Sequence, residues 1–182
     1  LTAQPKRTVN KGNAMPLTEV SQFSVSRLSI LDAEGNLDAS LEPDLKEQDL
    51  IKIYRAMVLA READQRMLKL QRQGRLGTFP PCTGQEAVAC GAAFAMQQQD
   101  WMVGTYRELG ARLMRGEPLD KTLLYYNGHE EGSHNPAELR ILPTQVILGS
   151  QLPHAVGLAY GARYQGETET AVVTFFGDGA SS

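Results

Sequence analysis

Residues 171–182 read AVVTFFGDGASS, a short apolar run that ends in a glycine-flanked aspartate. Residues 171–176 are small, β-branched or aromatic and carry no charge, which predicts a fully buried strand of a parallel sheet. Ligands of such sheets bind at the carboxyl ends of the strands. Gly177 and Gly179 allow a ligand to approach the backbone closely, and Asp178 offers the carboxylate oxygen that Mg²⁺ prefers. Because a lone GDG is more often a tight turn than a metal site, the rest of the chain must decide between the two.

The composition is that of an ordinary globular protein. The 182 residues are 42% hydrophobic and 21% charged, which favours one domain with a sizeable core. A net charge of -3 gives no indication of binding to nucleic acid or to an anionic membrane. No apolar run approaches about 18 residues and no signal-peptide pattern opens the chain, so we expect a cytoplasmic protein. Cys82 and Cys90 lack the CxxC spacing, and we expect free thiols.

The chain divides into three segments. Residues 1–14 are polar and precede Met15, and we interpret them as vector-derived or read-through residues. Residues 15–43 are predicted to form an N-terminal arm with a hairpin around the turn at 32–36. Residues 44–182 are predicted to form the N-terminal part of an α/β domain. A covering helix normally follows a buried strand, so the end of the sequence directly after the GDG predicts a fragment of a longer protein.

Helical periodicity and turn residues set the expected elements. A long helix is predicted to begin at a capping box of Asp44 and Glu47 and to end at Gly74. Further helices are predicted over 85–98, 106–115, 118–126 and 151–165, with a short strand over 100–105. The last of these helices carries small residues, Ala155, Ala159 and Ala162 among them, which favour close packing against a neighbouring element.

Two loops are candidates for ligand binding. Residues 74–84 are rich in glycine and proline and lead into a helix, a composition typical of ligand-binding loops and also of plain connectors. Tyr106 and Arg107 are expected at a helix start, where a guanidinium and outward N–H groups suit a phosphate. His129 and His134 lie in a polar loop without the spacing of HExxH, so we exclude them as metal ligands.

Four motifs in order carry a resemblance to a known family. They are Gly84-Gln85-Glu86-Ala87, then Tyr106-Arg107-Glu108, then residues 147–153 (ILGSQLP), then residues 176–180 (FGDGA). Together they resemble the α subunits of the thiamine-diphosphate-dependent 2-oxo acid dehydrogenases, nearest to the pyruvate dehydrogenases. The resemblance covers roughly residues 45–182. It implies the thiamine diphosphate-binding fold, a parallel sheet flanked by helices, here truncated after the GDG strand.

The resemblance also implies roles for individual residues. Asp178 would coordinate Mg²⁺, Gly179 and Ala180 would contact the diphosphate, and Tyr106 and Arg107 would hold the terminal phosphate. The backbone at Val146 and Leu148 would meet the aminopyrimidine, and Ser150 and Gln151 match a monovalent-cation site of branched-chain relatives. Phe79 and Pro80 would line the substrate pocket. Animal pyruvate enzymes carry a histidine at the Pro80 position, and this departure leaves the identity of the 2-oxo acid open.

The function implied is oxidative decarboxylation of pyruvate, the end product of glycolysis, with acyl transfer to a lipoyl group. The implied partners are a β subunit in an α₂β₂ heterotetramer, which supplies the activating carboxylate, and the lipoyl domain of the acyltransferase component. We therefore expect residues 1–182 alone to be inactive. The alternatives are a branched-chain 2-oxo acid or acetoin dehydrogenase α subunit, a non-catalytic phosphate-binding module, and a structural piece of an oligomer.

Overall fold

The computed structural model describes residues 21–181, which fall into two compact units divided between Asp44 and Leu45. In the first unit, Leu31 and Leu37 form an antiparallel bridge around the predicted turn. The Asp32 carboxylate accepts hydrogen bonds from the main-chain N–H groups of Glu34 and Asn36 at 3.0 and 2.7 Å. This confirms the small hairpin.

The second unit is an α/β assembly, as predicted. Its elements in chain order are α1 (Glu47–Arg72), α2 (Glu86–Ala95), β1 (Trp101–Val103), α3 (Leu109–Met114), α4 (Leu119–Tyr126), α5 (Gln151–Tyr164) and β2 (Val172–Thr174). Three 3₁₀ helices add Glu130–Ser133, Ala137–Leu139 and Asp178–Ala180. None of the helices in residues 21–181 is both long and apolar enough to cross a bilayer.

The sheet is parallel, and β1 lies at its centre. β1 pairs with β2 in the register Trp101 to Val172 and Val103 to Thr174. On its other side, Met102 forms a parallel bridge to Ile141. Since the three segments run in the same direction, the residues that follow them meet at one edge of the sheet. These are residues 104–107 after β1, residues 143–148 after Ile141, and the GDG after β2.

Helices α1, α2 and α3 pack together beside this sheet. Small residues allow the close approach: a Cβ added to Gly110 of α3 would lie 2.8 Å from the Cys90 sulfur of α2. Ala89, Ala93 and Ala111 extend the same buried cluster to Met102 of β1. Both cysteines are buried free thiols, as expected.

Three predictions about these elements are wrong in detail. The strand after residue 171 is half-buried rather than fully buried, because within the described sheet it pairs on one side only. The capping box does not form, since α1 has Lys46 at its N-cap and no side-chain cap. The helix predicted from Tyr106 begins at Leu109, because the main chain bends at residues 106 and 107.

Candidate functional site

A cleft of about 710 Å³ opens at the carboxyl edge of the sheet. Its volume lies within the usual range for small-molecule sites, about 300–1,000 Å³. Of the nine residues predicted to form the site, six line this cleft: Phe79, Pro80, Tyr106, Arg107, Val146 and Leu148. They come from three separate loops, which the parallel strands and α1 bring together.

Arg107 is the cationic group at the mouth of the cleft. Its guanidinium carbon lies 5.4 Å from the centroid of the Tyr106 ring, so the two side chains stack. Among residues 21–181, no carboxylate lies within 4.0 Å of this guanidinium. An exposed arginine without an acidic partner at the end of a parallel strand is suited to binding an anion. We refer to Tyr106 and Arg107 as the anion clamp.

The turn that carries the anion clamp is fixed by Glu108. Its Oε2 accepts hydrogen bonds from the main-chain N–H and the hydroxyl of Thr105, at 2.6 and 2.9 Å. The carboxylate also fills the space beside Gly104, where an added Cβ would lie 3.4 Å from Oε2. These bonds end β1 and present Tyr106 and Arg107 outward before α3 begins.

The remaining three predicted residues lie outside the cleft lining. Asp178, Gly179 and Ala180 form a single 3₁₀ turn after β2. The turn is near the cleft, since a Cβ added to Gly149 would lie 3.6 Å from the Ala180 carbonyl oxygen. A groove of about 280 Å³ also joins Arg107 to Thr174, Phe175 and Phe176 at the end of β2. Arg107 therefore lines both cavities, and the second of them reaches Phe176, the residue directly before the GDG turn.

Hydrogen bonds inside the GDG turn already use two of the main-chain N–H groups that a ligand could otherwise bind. The Ala180 N–H already donates to the Gly177 carbonyl at 3.0 Å, and the Ser181 N–H donates to the Asp178 carbonyl at 3.1 Å. The Asp178 side chain is exposed. No group of three or more acidic, histidine or cysteine residues within residues 21–181 is arranged to hold a metal ion.

Ser150 and Gln151 lie beneath the 146–149 segment. The Ser150 hydroxyl donates to the Ile147 carbonyl at 2.7 Å, and Gln151 donates its amide to the Phe175 carbonyl at 3.0 Å. Gln151 is fully buried, and its Oε1 has no hydrogen-bond partner among the described residues. A buried acceptor without a donor is rare in native structures and marks a place for a water or an ion.

The loop that carries Phe79 and Pro80 is held by a buried carboxylate that sequence analysis missed. Asp64 of α1 accepts hydrogen bonds from the Cys82 N–H at 2.9 Å and from the Thr83 hydroxyl at 2.5 Å. Asp64 is only 3% exposed. Burial, followed by the charge of Asp64, raises the pKa of the Cys82 thiol to about 12. No sequence signal marks Asp64, because its partners lie 18 and 19 positions away.

A second carboxylate anchors the start of α2. Glu86 forms a two-point ion pair with Arg61, with Nε to Oε1 at 2.5 Å and Nη2 to Oε2 at 2.9 Å. It also accepts the Gly84 N–H at 3.0 Å. The hydrogen bond from Arg61 is the main cause that lowers the pKa of Glu86 to about 2. Glu86 belongs to the Gly-Gln-Glu-Ala motif, so the motif has a structural role at the loop end.

Comparisons with known proteins agree with this architecture. The chain belongs to the dehydrogenase E1 component family, whose model matches residues 54–182. Among curated proteins, it is 42% identical over 152 residues to the pyruvate dehydrogenase E1 component subunit alpha of Acholeplasma laidlawii. It is 34% identical over 171 residues to the proteins of that name from Staphylococcus epidermidis and Staphylococcus aureus.

The matches cover 83% and 93% of this chain, respectively. They cover 44% and 46% of the relatives, so the chain spans less than half the length of the curated proteins it matches. The family predicted from the four motifs is confirmed. The individual site residues stay predictions.

Proposed function

We propose that this chain carries the diphosphate-binding half of a thiamine diphosphate site, in the α subunit of an enzyme that oxidatively decarboxylates pyruvate. The single observation that carries the proposal is the position of Arg107. An exposed guanidinium without a carboxylate partner among the described residues stands at a cleft at the carboxyl edge of a parallel sheet. The family assignment and the names of the relatives support the same activity.

The residues present fit the cofactor's anionic end. Arg107 would bind the terminal phosphate through two parallel hydrogen bonds, and the stacked Tyr106 ring would restrict the guanidinium to that orientation. Because the Ala180 N–H is already engaged within its turn, we assign the diphosphate contact there to Gly179. Val146 and Leu148, at the cleft wall, would present their backbone to the aminopyrimidine.

The GDG turn supplies only part of the ligand set that Mg²⁺ needs. Mg²⁺ usually takes one or two carboxylates, and phosphates and waters supply the remaining ligands. Asp178 would supply one such carboxylate, at the end of β2 beside the diphosphate position. The other protein ligands would come from outside residues 21–181.

Thiamine diphosphate supplies, when bound, the electron sink that allows a 2-oxo acid to lose CO₂. In this proposal, the residues of this chain bind the cofactor and hold it in its orientation. Phe79, which is 5% exposed, and Pro80 form an apolar wall of the cleft that suits a small aliphatic group. By this proposal the activating carboxylate comes from a β subunit, and the acyl group passes to the lipoyl domain of an acyltransferase. A cytoplasmic location stays a prediction from the sequence.

The test uses the α subunit that carries residues 1–182, coexpressed with its β subunit. Initial rates are measured by reduction of an artificial electron acceptor with Mg²⁺, thiamine diphosphate, and a panel of pyruvate, 2-oxobutyrate, 3-methyl-2-oxobutanoate and acetoin. We expect the highest kcat/KM with pyruvate. A preference for the branched-chain acid or for acetoin would contradict the substrate assignment, and no turnover with any of them would contradict the activity.

A further inference from the structure

Tyr126, the last residue of α4, is bonded to both walls of the cleft. Its hydroxyl donates a hydrogen bond to the Tyr106 carbonyl at 3.0 Å. Its own main-chain carbonyl accepts a hydrogen bond from the Gly77 N–H at 3.1 Å. One residue thus joins the anion clamp to the loop that carries Phe79 and Pro80.

The contact with Gly77 leaves no room for a side chain. A Cβ added at Gly77 would lie 2.4 Å from the Tyr126 carbonyl oxygen, a distance that real Cβ atoms essentially never show. The loop and the end of α4 are therefore in direct backbone contact. Because backbone atoms move less easily than the ends of side chains, this contact holds the loop at a fixed distance from the end of α4.

The Tyr126 ring adds a second contact to the same loop. Its centroid lies 5.7 Å from that of Phe79, with the planes at 60°, which is the edge-on geometry that aromatic pairs prefer. Burial raises the pKa of the Tyr126 phenol well above its ordinary value. The hydroxyl therefore stays protonated, and remains a donor, across the physiological pH range.

We propose that Tyr126 is a positioning residue that sets the separation between the anion clamp and the pocket loop, residues 77–83. It acts on the cofactor through Tyr106 and Arg107. The inference rests on the proposed function, because it requires the clamp to hold the cofactor's phosphate. Glu108 fixes the clamp from within its own turn, and Tyr126 fixes it relative to the opposite wall.

The test is a double-mutant cycle on thiamine diphosphate affinity, measured by calorimetry with Mg²⁺ on the α subunit assembled with its β subunit. Tyr126→Phe removes the hydroxyl and keeps the ring. We expect it to weaken binding about three- to tenfold, the range for losing one neutral hydrogen bond. In an Arg107→Lys background the same change should cost no more than about twofold, since the two residues act as a unit.

The cycle separates positioning from a general loss of stability. A purely structural defect would weaken thiamine diphosphate binding by the same factor in the wild-type and Arg107→Lys backgrounds. Such independent effects of the two substitutions would overturn the inference. Wild-type affinity in Tyr126→Phe would also overturn it. Tyr54→Phe, which removes an exposed phenol on α1, is the matched control and should bind as the wild type does.

The outcomes also separate this inference from the function on which it rests. If Arg107→Lys alone bound the cofactor as tightly as the wild type, or if the wild type did not bind it, the proposed function would fail and the inference with it. If Arg107→Lys were impaired and Tyr126→Phe were not, the inference alone would fail. A rise in the KM for pyruvate in Tyr126→Phe would agree with a displaced pocket loop.

Discussion

Replacing Asp64 tests how the pocket loop is held. Asp64 makes two hydrogen bonds to the loop from a buried position, at 2.9 and 2.5 Å. Hydrogen bonds to a charged group contribute about 1.5–3 kcal/mol each and are not fully additive, so Asp64→Ala should cost about 2–4 kcal/mol of local stability. At about 1.4 kcal/mol per factor of ten, the open form of the loop should become roughly 30- to 700-fold more populated.

The assay is the rate at which the Cys82 thiol reacts with N-ethylmaleimide, followed by mass spectrometry of the peptide that contains it. Cys82 is 4% exposed, and its raised pKa keeps it protonated, so it should react slowly in the wild type. Cys90 is fully buried under α3 and serves as an internal reference.

Asp64→Asn is the matched control for charge. Both variants remove the carboxylate charge, but asparagine keeps an oxygen that can accept the Cys82 N–H. We therefore expect Cys82 to react much faster in Asp64→Ala than in Asp64→Asn. Equal rates in the two variants would show that these hydrogen bonds do not hold the loop.

Two further predictions concern stability. Gly77→Ala should lower the melting temperature of the α subunit and cost on the order of 1–3 kcal/mol of unfolding free energy, because the new Cβ meets the Tyr126 carbonyl. Gly91→Ala, in open space on α2, should instead stabilise the helix by about 0.5–1 kcal/mol. Equal effects of the two substitutions would contradict the contact between Gly77 and Tyr126. Glu86→Gln should destabilise at pH 7, where the pair with Arg61 is intact. Since the pKa of Glu86 is lowered from 4.5 to about 2, this contribution is present above pH 4.5 and is lost as the pH falls towards 2. The difference in melting temperature between wild type and Glu86→Gln should therefore shrink from pH 7 to pH 3, and a constant difference would contradict the ion pair.

Local sequence signals predicted the elements and where the site lies. The apolar run before the GDG and the helical periodicity of α1, α2, α4 and α5 are features of single segments, and they predicted the type of each of these elements. The roles of Tyr106 and Arg107 stay predictions. The rule that parallel strands present ligands at their carboxyl ends predicted a ligand site at the GDG, whereas Tyr106 and Arg107 were expected only at a helix start. The structure brings the six cleft residues together at the carboxyl edge of the sheet.

The residues that hold the site in shape could not be predicted in this way. Tyr126 meets Tyr106 across 20 positions, and Arg61 meets Glu86 across 25. Such pairs depend on how helices cross, which hydrophobic periodicity does not encode. The wrong helix start at Tyr106 has a local cause instead: the Glu108 carboxylate accepts a hydrogen bond from the Thr105 N–H three positions away, so the helix begins only after Glu108.

The central claim is that the GDG turn and the anion clamp bind the diphosphate of thiamine diphosphate together with Mg²⁺. Calorimetric titration of the assembled enzyme with thiamine diphosphate, with and without Mg²⁺, tests it most directly. Asp178→Ala should weaken the Mg²⁺-dependent binding at least tenfold, because it removes a metal ligand. Glu169→Gln, an exposed carboxylate in the loop before β2, should bind as the wild type does. Unchanged Mg²⁺-dependent affinity in Asp178→Ala would contradict the account.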